Sequence, residues 1–80
     1  MIRTVLIAPE AYRTLERQRL VEQCEKAVRK IKRGENAGVD LKKRMPHALN
    51  IWQFSITQKY RAFAKRNGDT LTVFIIDDHQ

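Results

Sequence analysis

The feature that most constrains the fold is the sequence Asn67-Gly68-Asp69, which separates two apolar runs near the end of the chain. Asn-Gly readily adopts the positive φ angles that a tight β-hairpin turn requires. The flanking runs, residues 60–66 and 70–76, therefore predict two antiparallel strands. A third run at residues 52–57 is separated from them by Gln58-Lys59, so we expect a three-stranded β-meander.

The upstream half of the chain predicts one strand followed by helices. Residues 2–8 form a short, largely β-branched run, and Pro9 ends it while suiting the first turn of a helix. No Gly or Pro occurs from Ala11 to Arg33, but the apolar positions change phase near residues 17–20. We therefore expect a helical hairpin or a kinked helix that ends at Gly34.

Alternation along the meander assigns its two faces, because successive side chains of a strand point to opposite sides. Small alanines suit close packing of helices, so their face is predicted to be inward. The inward residues are then Trp52, Phe54, Ile56, Tyr60, Ala62 and Ala64. The outward ones are Gln53, Ser55, Thr57, Arg61, Phe63 and Lys65. The predicted fold is a two-layer α+β domain over residues 1–80, with the order β-α-α-β-β-β and an antiparallel sheet carrying a helical hairpin on one face.

The charge of the chain is uneven. Lys and Arg number 16 against 9 Asp and Glu, a formal net charge of +7. Residues 39–66 carry seven basic groups and one acidic group, so they hold +6 of that total. A phosphate-bearing or acidic partner is the expectation, and a solvated basic surface without a specific ligand is the alternative.

The single cysteine, Cys24, cannot form an internal disulfide. It lies on the apolar stripe of a predicted helix, which favours a buried structural thiol over a nucleophile. No apolar run is long enough to span a membrane, and the first residues lack the layout of a signal peptide. We therefore expect a cytoplasmic protein without membrane contact.

Several short motifs resemble one known family. They are the element order, the segment Gly38-Val39-Asp40-Leu41-Lys42, a strand that contains Trp52, the pair Tyr60-Arg61, and His79 after the last strand. Together they resemble the RelE/ParE superfamily of bacterial toxins, and most of all the RelE/YoeB-type mRNA interferases. The resemblance implies a toxin that cuts mRNA in the ribosomal A site and is neutralised by a small, acidic, co-encoded antitoxin. DNA would be reached only through the antitoxin complex.

The chemistry that the resemblance implies is attack of a ribose 2′-hydroxyl on the adjacent phosphate, without a metal or cofactor. Such a reaction uses a base, cations at the phosphate and an acid for the leaving oxygen. By resemblance, Arg61 contacts the phosphate, His79 is the general acid and Asp40 is the general base. Lys42, Lys43 and His47 are alternatives for the base.

Other residues of the basic segment are expected to contact ribosomal or messenger RNA. This set consists of Lys42, Lys43, Arg44, Lys59, Phe63, Lys65 and Arg66. Phe63 is expected to stack on a base, to contact an antitoxin segment or to pack in the core.

The chain also departs from the family pattern. Gln53 and Ser55 stand where RelE has lysines on the first meander strand, and Gln80 stands where YoeB-like chains end in tyrosine. Two other functions therefore stay open: a ParE-like gyrase-inhibiting toxin, and a catalytically inactive relative that binds RNA or an antitoxin.

Overall fold

The computed structural model describes residues 1–78, which form two α-helices and a five-stranded sheet. The elements in chain order are β1 (Thr4–Ile7), α1 (Pro9–Arg17), α2 (Val21–Lys32), β2 (Lys42–Lys43), β3 (Ile51–Ser55), β4 (Tyr60–Asn67) and β5 (Thr70–Asp78). A 3₁₀ turn, His47–Leu49, precedes β3. The predicted α+β class, with a helical hairpin on one face of a sheet, is confirmed.

The strands lie in the order β1-β5-β4-β3-β2. The predicted meander is present, since β3, β4 and β5 pair antiparallel in sequence. Two short strands extend it and make the sheet mixed: β1 pairs parallel to β5, and β2 pairs antiparallel to β3. The two helices carry the chain from β1 at one edge of the sheet to β2 at the other edge, and the meander then returns it to β5 beside β1. The two residues of β2 are too few to show any periodicity in the sequence.

The change of apolar phase corresponds to a break between the helices. Arg19 adopts a φ of 57°, and Leu20, only 5% exposed, packs inward just before α2. The end of α2 is a Schellman motif at Gly34, whose φ is +77°. There the Gly34 N–H donates to Ile31 O at 3.0 Å, and the Glu35 N–H donates to Lys30 O at 2.9 Å. The predicted helical hairpin and its stop are therefore both confirmed.

The helices cover one face of the sheet, which we call the covered face. Phe54 lies opposite Ala62 in the strand register. Phe54, Ala62 and Ala64 are each at most 1% exposed. Leu71 and Val73 of β5 complete the same core cluster. Small alanines on β4 let the helices approach closely, as the sequence predicts.

A β-bulge changes the other face, which we call the open face. Ala64 pairs with Val73 but Phe63 pairs with Ile75, so Phe74 is an extra residue in β5. The bulge therefore places two consecutive large apolar side chains, Phe74 and Ile75, on the open face. Within residues 1–78, no helix is long and apolar enough to cross a membrane.

Candidate active site

A polar cleft lies on the open face where β2, β3 and the start of β4 meet. Its volume is about 270 Å³. The residues that line it are Asp40, Lys42, Gln53, Ser55, Thr57, Gln58, Tyr60 and Arg61. The structure thus brings together three residues assigned from the sequence, namely Asp40, Lys42 and Arg61. We call this site the polar cleft.

Arg61 is the most enclosed cation of the polar cleft. It lies on β4 between Ser55 of β3 and Asp77 of β5 in the strand register. Its side chain is 27% exposed, and one terminal nitrogen lies 3.7 Å from Asp77 Oδ2. Its Nε is buried and has no hydrogen-bond partner among residues 1–78. A buried donor without an acceptor is costly to the folded state.

Asp40 reaches the cleft because its segment is tied to β3. The Ser55 N–H donates to Val39 O at 2.7 Å, and the Val39 side chain is 3% exposed. Asp40 itself has a φ of 49°, in the left-handed region that aspartate tolerates better than most residues. Asn36 holds the turn, since its Oδ1 accepts the Leu41 N–H at 2.8 Å. The loop that looks irregular in the sequence therefore has a defined path.

Lys42 pairs with Gln53 across β2 and β3. This pairing places a lysine beside the strand whose outward positions, Gln53 and Ser55, carry no charge. Sequence reasoning named Lys42 but missed this pairing, because β2 was not predicted.

Tyr60 also lines the cleft, although alternation predicts it inward. Its hydroxyl donates to Gln18 Oε1 at 3.1 Å, so the side chain lies at the boundary between the sheet and the helical hairpin.

The remaining RNA-binding candidates divide between the two faces. Arg44, Phe63 and Lys65 lie on the open face. Lys43 pairs with Trp52, so it lies on the opposite side of the sheet from the polar cleft. Arg66 is on that side too, since its guanidinium lies 4.9 Å from the centre of the Trp52 ring.

Lys59 lies in the β3–β4 turn, where its Nζ is 3.9 Å from Asp78 Oδ2. His47 begins the 3₁₀ turn and is not among the residues that line the polar cleft. His79, the proposed general acid, lies outside the described residues. The assignment of that role therefore still depends on the resemblance.

An apolar groove lies beside the polar cleft on the open face, with a volume of about 310 Å³. The residues that line it are Arg44, Met45, Pro46, Leu49, Ile51, Phe63 and Phe74. Phe63 separates the two sites, and the guanidiniums of Arg44 and Arg61 lie 4.8 and 5.1 Å from the centre of its ring. The sequence gives no clear signal for this groove, because its wall depends on the bulge at Phe74.

Comparisons of the chain with known proteins identify its fold. No protein-family model and no curated protein matches the sequence. Among solved structures, it is similar to a YoeB/ParE toxin from Agrobacterium tumefaciens, with 21% identity, a TM-score of 0.67, and coverage of 96% of this chain and 99% of that one.

Two further solved structures agree. The RelB-RelE antitoxin-toxin complex from Methanococcus jannaschii gives a TM-score of 0.69 at 17% identity, covering 91% of this chain and 88% of the other. The YoeB dimer from Staphylococcus aureus gives 0.70 at 11% identity over 100% of both chains. The chain therefore has the fold of the RelE/ParE-type toxins.

Proposed function

We propose that this protein is the toxin of a type II toxin-antitoxin system and that it cleaves mRNA on the ribosome. The observation that carries the proposal is the polar cleft, whose lining includes Arg61, Lys42 and Asp40. Within residues 1–78, the buried Nε of Arg61 has no hydrogen-bond partner. The fold is the scaffold on which this site is built. Because fold alone does not determine activity, the proposed activity rests on the residues of the polar cleft.

The first step is binding of the scissile phosphate. Arginine is permanently charged and donates several N–H groups in a fork that matches phosphate oxygens. Asp77 contacts the Arg61 guanidinium only at 3.7 Å and is itself 47% exposed, so it competes weakly with a phosphate. Lys42 pairs with Gln53 of β3 and so supplies a second cation beside a strand whose outward residues are uncharged.

The second step is in-line attack by the ribose 2′-oxygen. Asp40 takes the 2′-hydroxyl proton, the bond from the 2′-oxygen to phosphorus forms, and the bond from phosphorus to the 5′-oxygen breaks. His79 donates a proton to that leaving oxygen. The products are a 2′,3′-cyclic phosphate and a free 5′-hydroxyl. Arg61 and Lys42 stabilise the charge that develops on the phosphate oxygens.

Binding to the ribosome and to an antitoxin follows from the charge. The chain carries a net charge of +7, and Arg44 and Lys65 extend the positive surface of the open face beyond the polar cleft. Such a surface attracts RNA phosphate in a salt-dependent way. An acidic antitoxin competes for the same charges. Three of the structures that share the fold are antitoxin-toxin complexes, one from Methanococcus jannaschii and two from Staphylococcus aureus.

The test is cleavage of a defined message in a purified translation system, with mapping of the new RNA ends. Arg61→Ala should lower the cleavage rate by about 10²- to 10³-fold, as removal of one donor to a developing oxyanion does. The matched control is Arg13→Ala, which removes an exposed arginine from α1. That variant should cleave at the wild-type rate.

Three outcomes would contradict the proposal. Equal cleavage by the Arg61→Ala and wild-type proteins would remove the polar cleft from the mechanism. Intact message together with loss of gyrase supercoiling would indicate the ParE-like function. Ribosome binding without any cleavage would indicate an inactive relative.

A further inference from the structure

The ring of Phe63 lies next to the Arg61 guanidinium on the open face. We propose that Phe63 is a positioning residue, whose ring holds that guanidinium in the orientation that receives the scissile phosphate. This inference rests on the proposed function for the reaction, and it adds a residue that acts through Arg61. Such a role differs from base stacking, antitoxin contact and core packing, the three roles expected from the sequence.

The pleat of β4 brings the two side chains together. Arg61 and Phe63 are two residues apart on one strand, so both project from the open face. The centre of the guanidinium lies 5.1 Å from the centre of the ring, which is within the range of a cation–π contact. Phe63 pairs with Gln53 of β3 and with Ile75 of β5, so its backbone is held by the sheet on both sides.

The other contacts of the Arg61 guanidinium are weak. A terminal nitrogen lies 3.7 Å from Asp77 Oδ2, which is beyond hydrogen-bond distance, and the Asp77 side chain is 47% exposed to water. The Nε has no hydrogen-bond partner within residues 1–78. An arginine side chain is long and samples many rotamers unless packing restrains it. The Phe63 ring is therefore the contact best placed to restrict the orientation of the guanidinium.

An aromatic ring suits this task better than a carboxylate does. The attraction of a cation to a ring occupies no N–H group, so the donors of the guanidinium stay available to phosphate oxygens. A carboxylate at the same place would accept those N–H groups and compete with the phosphate. An aliphatic side chain of similar volume would pack there without attracting the charge. The ring is therefore the property of residue 63 that should matter for cleavage.

The same ring also contacts a second cation. The Arg44 guanidinium lies 4.8 Å from the centre of the ring, and Arg44 belongs to the lining of the apolar groove rather than to that of the polar cleft. Loss of the ring would therefore release two guanidiniums. The proposed mechanism places only Arg61 at the scissile phosphate, so the effect on the cleavage rate should pass through Arg61. Arg44 provides the matched comparison.

The first test replaces the ring and measures cleavage of a defined message on the ribosome. Phe63→Leu keeps an apolar side chain but removes the ring, so kcat should fall about tenfold, because a catalytic group is then poorly oriented. KM should stay within about twofold of wild type, because the other basic residues supply most of the RNA contacts. Phe63→Tyr restores an aromatic face and should bring kcat back to within about threefold of wild type.

The second test asks whether the ring acts through Arg61. In a protein that already carries Arg61→Ala, adding Phe63→Leu should change kcat by less than about twofold, because the ring has no guanidinium left to orient there. In a protein that carries Arg44→Ala, the same addition should still lower kcat about tenfold. A base-stacking role would instead persist in both backgrounds.

A third readout observes the contact without any reaction. An aromatic ring shifts the NMR signals of nuclei over its face, so the Arg61 Nε–H signal should move towards those of exposed arginines in Phe63→Leu and stay close to wild type in Phe63→Tyr. Ile75→Ala is the control, because it removes apolar surface opposite Phe63 in the register and leaves the ring intact. That variant should keep kcat within about twofold of wild type. Urea unfolding of each variant excludes a folding defect as the cause.

The outcomes separate this inference from the proposed function. A wild-type kcat in Phe63→Leu, or a loss that persists in the Arg61→Ala background, overturns the positioning role while the toxin function stands. A raised KM with an unchanged kcat also overturns it and assigns Phe63 to base stacking. An unchanged Arg61 signal in Phe63→Leu would show that the ring does not orient the guanidinium. Failure of the wild-type protein to cleave message overturns both the positioning role and the proposed function.

Discussion

The two faces of the sheet are built by the same strands but differ in the chemistry and burial of their side chains. On the covered face the buried side chains are aliphatic, aromatic or small, and no polar or charged side chain is buried within residues 1–78. On the open face, β4 presents Arg61, Phe63 and Lys65, which alternate along the strand with the inward residues Ala62 and Ala64. One face therefore supplies stability, and the other supplies two adjoining sites, the polar cleft and the apolar groove.

Exposure and packing partners distinguish apolar residues of the core from apolar residues that belong to a candidate site. Phe54 and Phe63 lie on neighbouring strands, and Phe54 is 1% exposed within the core. Phe63 is half-buried, and its covering is provided partly by two guanidiniums rather than by a second layer of the fold. This ring therefore lies between the polar cleft and the apolar groove.

The largest expected effect comes from truncating these two rings separately. Phe54→Ala should lower the free energy of unfolding by about 3–5 kcal/mol, because it leaves a cavity in the core. Phe63→Ala should cost about 1–2 kcal/mol, since only part of its surface is buried. Urea unfolding followed by circular dichroism measures both values.

The control for this comparison is Phe54→Leu, which largely preserves the apolar volume and should cost less than about 1.5 kcal/mol. It also serves if Phe54→Ala is too unstable to fold, because this small domain has little stability in reserve. Equal losses for Phe54→Ala and Phe63→Ala would mean that the open face is as much a part of the core as the covered face.

A smaller effect is expected in the pH dependence of the unfolding free energy, through the buried thiol of Cys24 on the covered side of the sheet. Burial raises the pKa of the Cys24 thiol from 9.0 to about 11, and the Glu25 carboxylate adds to this shift. The folded state therefore favours the protonated thiol, so this contribution is complete below pH 9 and is lost as the pH rises towards 11. The expected loss is at most about 3 kcal/mol, measured by urea unfolding at several pH values.

Cys24→Ala is the control, because it lacks the thiol but keeps every other titratable group. The difference in unfolding free energy between wild type and this variant should shrink between pH 9 and 11. A constant difference over that range would show that the thiol ionises as easily in the folded protein as in the unfolded chain.

Much of the fold could be predicted from the sequence, because local signals agree with the final structure. The Asn67-Gly68 turn, the alternation that places Arg61 and Phe63 outward, and the stop at Gly34 each depend on neighbouring residues alone. The parallel pairing of β1 with β5 joins residues far apart in the chain, and two residues of β2 carry no pattern. Such features are set by tertiary packing, which the sequence pattern does not display.

The site was predictable only in part for the same reason. Arg61 follows from alternation together with the family resemblance. Asp40 and Lys42 join it in the polar cleft only because Val39 and β2 attach their loop to β3. The apolar groove depends on the bulge at Phe74, and a bulge shifts the register without leaving a clear mark in composition.

The smallest expected effect concerns Asn50, in the loop that connects β2 to β3. Asn50→Ala removes both side-chain hydrogen bonds and places an alanine at a φ of 54°, so it should cost about 1–2 kcal/mol of unfolding free energy. Asn50→Gly keeps the backbone conformation while losing the same hydrogen bonds, and should be the milder change. Urea unfolding followed by circular dichroism measures both losses. Equal losses in the two variants would show that the left-handed backbone of residue 50 adds no strain when alanine occupies it, and that the lost hydrogen bonds account for the whole effect.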